Sequence, residues 1–148
     1  MLKFPPPIWL FAFLALAGAA SAAYPWKSIL DLTMVPLGIV LTVAGFVFSF
    51  WGRMIFAAEK TEVMPTSPTN AKLVTRGAFA ITRNPMYLGI LVFTLGIAIW
   101  VGSLPMFAVP VLMFLVCNQV HIPFEEAKMR RQYGEAFDAY TARVRRWI

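Results

Sequence analysis

Residues 4–26, 32–52 and 84–124 contain no Lys, Arg, Asp or Glu, and the charges crowd into the short segments between and after them. That pattern predicts helices that cross a bilayer, since about 20 apolar residues rising ~1.5 Å each cover a hydrocarbon core of about 30 Å. The apolar stretches divide into four spans, at about residues 8–24, 32–56, 85–100 and 104–122. Val101-Gly102-Ser103-Leu104-Pro105 is a tight turn without charge, so the third and fourth spans form an antiparallel hairpin. Residues 57–84 read as a polar loop, irregular around Pro65-Thr66-Ser67-Pro68, and residues 123–148 as a polar tail. The expected fold class is all-α: one polytopic integral membrane domain over residues 1–148, with about four transmembrane helices and a C-terminal amphipathic interfacial helix.

Within the second span Gly38, Thr42, Gly45, Ser49 and Gly52 recur at four, three, four and three, which puts them on one helical face. A face of small residues lets another backbone approach closely in lipid. Gly89 and Gly96, one heptad apart, give the third span a close-packing face as well, and Pro85 suits that helix's first turn, where a missing N–H costs nothing. Pro123 is expected to start a new helix. In the tail, Tyr133, Phe137, Tyr140, Val144 and Trp147 keep the same spacing, a stripe interrupted by Gly134 and flanked by basic residues, as on a helix lying at an anionic membrane surface. The first apolar run carries a second reading: Lys3, the run itself and Ala20-Ser21-Ala22 also resemble a secretory signal with its cleavage site.

Composition sharpens this picture. The chain is 59% hydrophobic and 14% charged, with a net charge of +6 and a mean hydropathy of +0.70. Residues 53–83 hold five Lys or Arg and the tail six, against one in 24–31 and none in 101–105. The cytoplasmic bias of Lys and Arg puts both termini in the cytoplasm of a bacterial inner membrane or its equivalent. The basic residues flank apolar spans and no nucleic-acid motif is present, so no nucleic-acid partner is expected. Cys117 stands alone and reads as a small buried apolar residue. His121-x-x-x-Glu125 offers two ligands with Pro123 between them, which makes no metal site.

Two boundaries carry the candidate chemistry. Arg83 is the last charge before the long apolar run, and Glu125 and Glu126 are the first after it. A hairpin between them brings both boundaries to one rim of the bilayer. Arg83 suits a carboxylate, held by two charge-assisted bonds, and equally a positive-inside anchor. The glutamates suit ribose hydroxyls, a helix N-terminus, or in the case of Glu126 a pair with Arg130. Tyr87 suits a site or an interfacial belt. His121, Asn118 and Glu125 share a face if the helix continues through Pro123.

The segment Arg83-Asn84-Pro85-Met86-Tyr87-Leu88-Gly89, then a hairpin, Glu125-Glu126, Tyr133-Gly134-Glu135-Ala136-Phe137-Asp138-Ala139-Tyr140 and Val144-Arg145-Arg146-Trp147, resembles the isoprenylcysteine carboxyl methyltransferase-like membrane enzymes. Phospholipid N-methyltransferases share this C-terminal layout. The resemblance covers about Leu73 to Trp147. It implies S-adenosylmethionine as cofactor, S-adenosylhomocysteine as product, and a lipophilic or prenylated acceptor that enters sideways among the membrane lipids. O-methylation of an isoprenylcysteine-like carboxylate is the leading expectation, with a lipid or small amine and a thiol as alternatives. It implies Arg83 and Tyr87 as catalytic residues, and Arg83, Asn84, Tyr87, Glu125 and Glu126 as cofactor-binding residues; His121 joins them as a cofactor-binding candidate from the helical face it shares with Asn118 and Glu125, which suits an adenine pocket. Asn84 departs from the family's usual His, and an amide can hydrogen-bond but holds no proton near neutral pH. The rival class is a non-enzymatic membrane protein, a transporter protomer or an assembly factor.

Overall fold

The structure is a computed structural model that describes residues 4–59 and 72–148. The expected Pro-Thr-Ser-Pro loop therefore lies outside the described residues. The first helix is α1 (Pro6–Ala23), followed by α2 (Val35–Ala58), the short α3 (Ala78–Ile81) and α4 (Pro85–Val101). A 3-10 turn at Leu104–Phe107 then leads into α5 (Ala108–Val116), α6 (Ile122–Tyr133) and α7 (Glu135–Arg143). Three helical stretches, Pro6–Ala23, Val35–Ala58 and Leu104–Tyr133, are long and apolar enough to cross a membrane, and Pro85–Val101 is a shorter apolar helix. At ~1.5 Å per residue the 17 residues of α4 extend about 26 Å, which a slightly thinned bilayer accommodates. The protein is thus an all-helical, polytopic membrane protein.

The stripe of small residues is the tightest part of the fold. A Cβ added to Gly38 would lie 2.5 Å from the Trp100 nitrogen, one on Gly45 2.3 Å from that of Phe93, and one on Gly96 2.4 Å from that of Thr42. The backbones of α2 and α4 are therefore in direct contact along their lengths, which no side chain larger than hydrogen permits at these positions. Ser49 adds a bond across the seam, its Oγ donating to the Met86 carbonyl at 3.1 Å. At one end of the pair, Leu32 and Met34 donate backbone bonds to Gly102 and Ile99. Gly102 turns there with φ +71°. At the other end α3 folds back, its Phe79 ring stacked on Phe56 at 4.7 Å. The first helix packs against α5 and the 3-10 turn rather than along α2. The core between them gathers Leu10, Tyr87, Val109, Met113, Cys117 and Ile122.

Pro123 does not start a new helix. Leu104–Tyr133 is one continuous helix of 30 residues, widened to a π-turn at Cys117–His121. A proline ring clashes with the carbonyl four residues back, here that of Gln119, and the wider turn removes the clash. The hydrocarbon-spanning part ends near Ile122, since ~30 Å of bilayer takes about 20 residues and the charges begin at Glu125. Beyond it the helix runs on to Gly134, whose φ of +50° turns the chain into α7. The aromatic stripe of the tail faces the protein: Phe137 and Tyr140 are buried, Tyr140 donates to the Phe79 carbonyl at 2.7 Å, and Trp147 packs on Phe114.

Candidate functional site

The end of the bundle that carries α3 also carries the start of α4 and the rim of the fourth span. Asn84 occupies the N-terminal boundary of α4, followed by Pro85, and this fixes Arg83 just outside the helix and Tyr87 in its first turn. One turn beyond the fourth span, α6 presents Glu125 and Glu126. Arg83 donates to Glu126 at 2.8 Å through Nη2 and to the Thr141 and Val144 carbonyls at 3.2 and 3.0 Å through Nη1. Tyr87 donates its hydroxyl proton to Glu125. The cation and the two acids thus meet across the hairpin, more than forty positions apart in sequence.

Arg146 completes the cluster, and the reading from sequence missed it. Its guanidinium grips Glu126 at 2.6 and 3.1 Å, so Glu126 is shared between two arginines. Its carbonyl accepts from Thr82 Oγ1 at 3.0 Å and from Asn84 Nδ2 at 2.9 Å, and the neighbouring Arg145 carbonyl accepts from the Arg83 N–H. Residues 141–147 therefore form a strap pinned across the mouth of α4. The available signal was Val144-Arg145-Arg146-Trp147 within the resemblance, but a basic run beside a stripe of aromatics reads equally as a membrane-facing surface. Replacing Asn84 with Ala removes one of the two donors to the Arg146 carbonyl. It is expected to cost about 1 kcal/mol, read as a small drop in thermal midpoint in detergent.

The other predicted residues separate. The π-turn breaks the shared face expected for Asn118, His121 and Glu125. Asn118 accepts from Trp147 Nε1 at 3.1 Å and so belongs to the strap. His121 is 1% exposed. Among the described residues both of its ring nitrogens lack a hydrogen-bond partner, and its ring sits 6.3 Å from that of Tyr87. It lies behind the site rather than in its wall.

A cavity of about 520 Å³ opens beside this cluster, bordered by Arg83, Asn84, Tyr87, Glu125, Glu126 and Lys128 at its polar end. Its apolar end runs between Pro5–Pro7 at the start of α1 and Phe46 and Phe50 on α2, with Ile90 behind. The two acids differ in how readily they ionise. Burial pushes the Glu125 carboxyl up to about 7, against the Tyr87 hydrogen bond and the Lys128 charge that favour ionisation. Burial also acts to raise Glu126, but the hydrogen bonds from Arg146 and Arg83 outweigh it and hold that carboxyl below its ordinary value. The arrangement suits a ligand with cationic or hydroxyl groups at one end and a hydrophobic companion at the other. Among the described residues no group of three or more His, Cys, Asp or Glu could hold a metal ion.

These features define an integral membrane protein with a polar site at one rim of its helical bundle and an apolar annex reaching toward lipid. Residues 33–136 match the sequence model of the phospholipid methyltransferase family, and the chain belongs to that family. It is 30% identical over 122 residues to protein-S-isoprenylcysteine O-methyltransferase B of Arabidopsis thaliana, an alignment covering 80% of this chain and 57% of that protein. It is 32% identical over 63 residues to an uncharacterised Haemophilus influenzae protein, covering 43% of this chain and all of that one. The chain thus spans a little over half the length of the Arabidopsis relative. No solved structure matches the chain at a significant level.

Proposed function

We propose that the protein is a methyltransferase that takes its methyl group from S-adenosylmethionine and places it on a lipophilic acceptor, with an isoprenylcysteine-like carboxylate as the leading acceptor. The observation that carries this reading is the convergence of Arg83, Tyr87, Glu125 and Glu126 on one cavity that is polar at one end and apolar at the other. The cavity's volume lies within the range of small-molecule sites. When bound, the cofactor supplies an electrophilic methyl: an acceptor oxygen forms the new C–O bond while the S–CH₃ electron pair leaves with sulfur, and no proton changes hands. Glu125 and Glu126 accept from the cofactor's hydroxyl and ammonium groups. Arg83 acts by holding Glu126 and the strap, and Tyr87 by orienting Glu125. Asn84 steadies the strap from the same wall. What the chain contributes is placement, which is worth up to about 7–11 kcal/mol of a barrier in favourable intramolecular cases. The lysine and arginine bias puts this rim in the cytoplasm. N-methylation of a phospholipid is the alternative that the family name favours.

The test is transfer of labelled methyl into a lipid extract by wild type, Glu125→Gln and Arg83→Ala. Loss of transfer in both variants is expected, and full transfer in either removes that residue from the site. The charge state of Glu125 adds a pH signature. A carboxyl at about 7 must lose its proton to pair with the ligand's ammonium group. Affinity for S-adenosylhomocysteine should therefore rise roughly tenfold per unit up to about pH 7 and then level off. The ligand-free protein should respond in the opposite sense. A carboxyl whose folded value stands above its unfolded one favours the folded state at low pH, and that contribution is lost as pH rises from 4.5 to about 7. Titration calorimetry and thermal melts across pH 5–8 read the two trends, and Glu125→Gln should flatten both.

A further inference from the structure

We propose that Arg53 selects the methyl acceptor by binding an anionic oxygen group on it, while the apolar end of the cavity takes the acceptor's hydrocarbon chain. Arg53 stands on α2 at the same level as the start of α4, because its neighbour Gly52 packs against Pro85, where an added Cβ would lie 3.1 Å from the ring. Phe46, Phe50 and Arg53 follow one another at four and three, so they share a face. All three border the cavity. Phe46 and Phe50 also keep 59% and 51% of their surface exposed, so this wall continues onto the surface that meets lipid. A hydrocarbon chain can lie along it without leaving the bilayer.

The charges at the polar end point to the sign of the acceptor. Glu126 is shared between Arg83 and Arg146. Glu59, just past α2, is shared between Lys72 and Arg76. Glu125 accepts from Tyr87. Arg53 has no hydrogen bond or ion pair among the described residues. A guanidinium on the wall of a half-apolar cavity, with the neighbouring carboxylates engaged elsewhere, favours an incoming carboxylate or phosphate and repels an ammonium. A planar fork also suits two oxygens at once. The shared chemistry is an anionic oxygen group on a long apolar chain. Its source is a carboxylate that itself accepts the methyl, or a phosphodiester beside an accepting amine. The part that concerns turnover rests on the methyl-transfer reading. The binding preference does not.

The full chain in neutral detergent is titrated with S-farnesylcysteine, with its methyl ester and with a lysophosphatidylethanolamine, and separately with S-adenosylhomocysteine. Wild type is expected to bind the acid roughly tenfold or more tightly than the ester, the scale of a charge-assisted fork. Arg53→Met should abolish that preference, Arg53→Lys should retain part of it, and S-adenosylhomocysteine affinity should stay within about twofold in both. If the lysophospholipid is preferred and the preference falls with Arg53→Met, the phosphodiester is the source. Equal affinity for acid and ester in wild type, a preference that survives Arg53→Met, or failure of all three amphiphiles to bind overturns the proposal. So does an equal loss of S-adenosylhomocysteine affinity in Arg53→Met, which would make Arg53 part of the cofactor site or the fold. If S-adenosylhomocysteine does not bind wild type while the acid preference persists, the methyl-transfer reading fails and the anionic subsite stands.

Discussion

Replacing Glu126 with glutamine is expected to cost about 2–4 kcal/mol of stability and, under the proposed function, to abolish S-adenosylhomocysteine binding. Two guanidiniums converge on this carboxylate, from Arg83 at 2.8 Å and from Arg146 at 2.6 Å. Removing its charge leaves two like charges facing each other in a partly buried setting. The side chains of Arg83 and Glu126 are 14% and 18% exposed, and that of Arg146 35%. The penalty should therefore fall between the ~1 kcal/mol of an exposed pair and the ~3–5 kcal/mol of breaking a buried one. The strap should then loosen, because Glu126 ties its Arg146 side chain to α6. Limited proteolysis near Arg143 and Arg145 should speed up, and the thermal midpoint in detergent should drop. The double variant Glu126→Gln with Arg146→Gln removes one of the repelling cations. It should recover part of the stability without recovering ligand binding. A Glu126→Gln protein as stable as wild type would show that the three-residue cluster does not hold the strap.

The second large effect belongs to the seam between α2 and α4. Gly45→Leu is expected to prevent the pair from closing. Even the Cβ of alanine would lie 2.3 Å from the Phe93 nitrogen and 2.6 Å from the Gly89 carbonyl oxygen. These are backbone atoms that cannot turn aside as a side-chain tip would. Gly45→Ala should cost at least the ~1–3 kcal/mol typical of overpacking, and Gly45→Leu should yield little folded protein. Gly18 of α1, around which nothing lies within 4 Å of an added Cβ, is the control: Gly18→Ala should leave the melt unchanged or raise it slightly. Equal melting of Gly45→Ala and Gly18→Ala would contradict the backbone contact.

The bundle was legible in the sequence because lipid leaves few alternatives. Uncharged runs of the right length must be helices, and small residues at four-three spacing mark where two of them touch. The meeting of Arg83 with Glu125 and Glu126 followed from the short uncharged turn alone. Other features were not legible, for physical reasons. Pro123 commonly begins a helix, and sequence periodicity gives no sign that a π-turn will absorb it. That turn is what sends Asn118 toward Trp147, His121 into the core and Glu125 into the cavity. From sequence, Arg83 suits a carboxylate of a cofactor or acceptor, or a positive-inside anchor. Its hydrogen bonds run instead to the chain's own Glu126 and to carbonyls of residues 141 and 144, partners that depend on where the tail lands. Arg146 was hidden for the same reason.

The strap has a consequence for the order in which the molecule is made. The glycine seam joins helices that are near neighbours in the chain and can zip up in the membrane as soon as α4 has emerged. The polar site needs residues 141–147, whose carbonyls accept from Thr82 and Arg83 some sixty positions upstream. A stalled or shortened nascent chain should therefore hold a well-packed helical frame with an unfinished binding face, so competence arrives as a separate, later event than insertion.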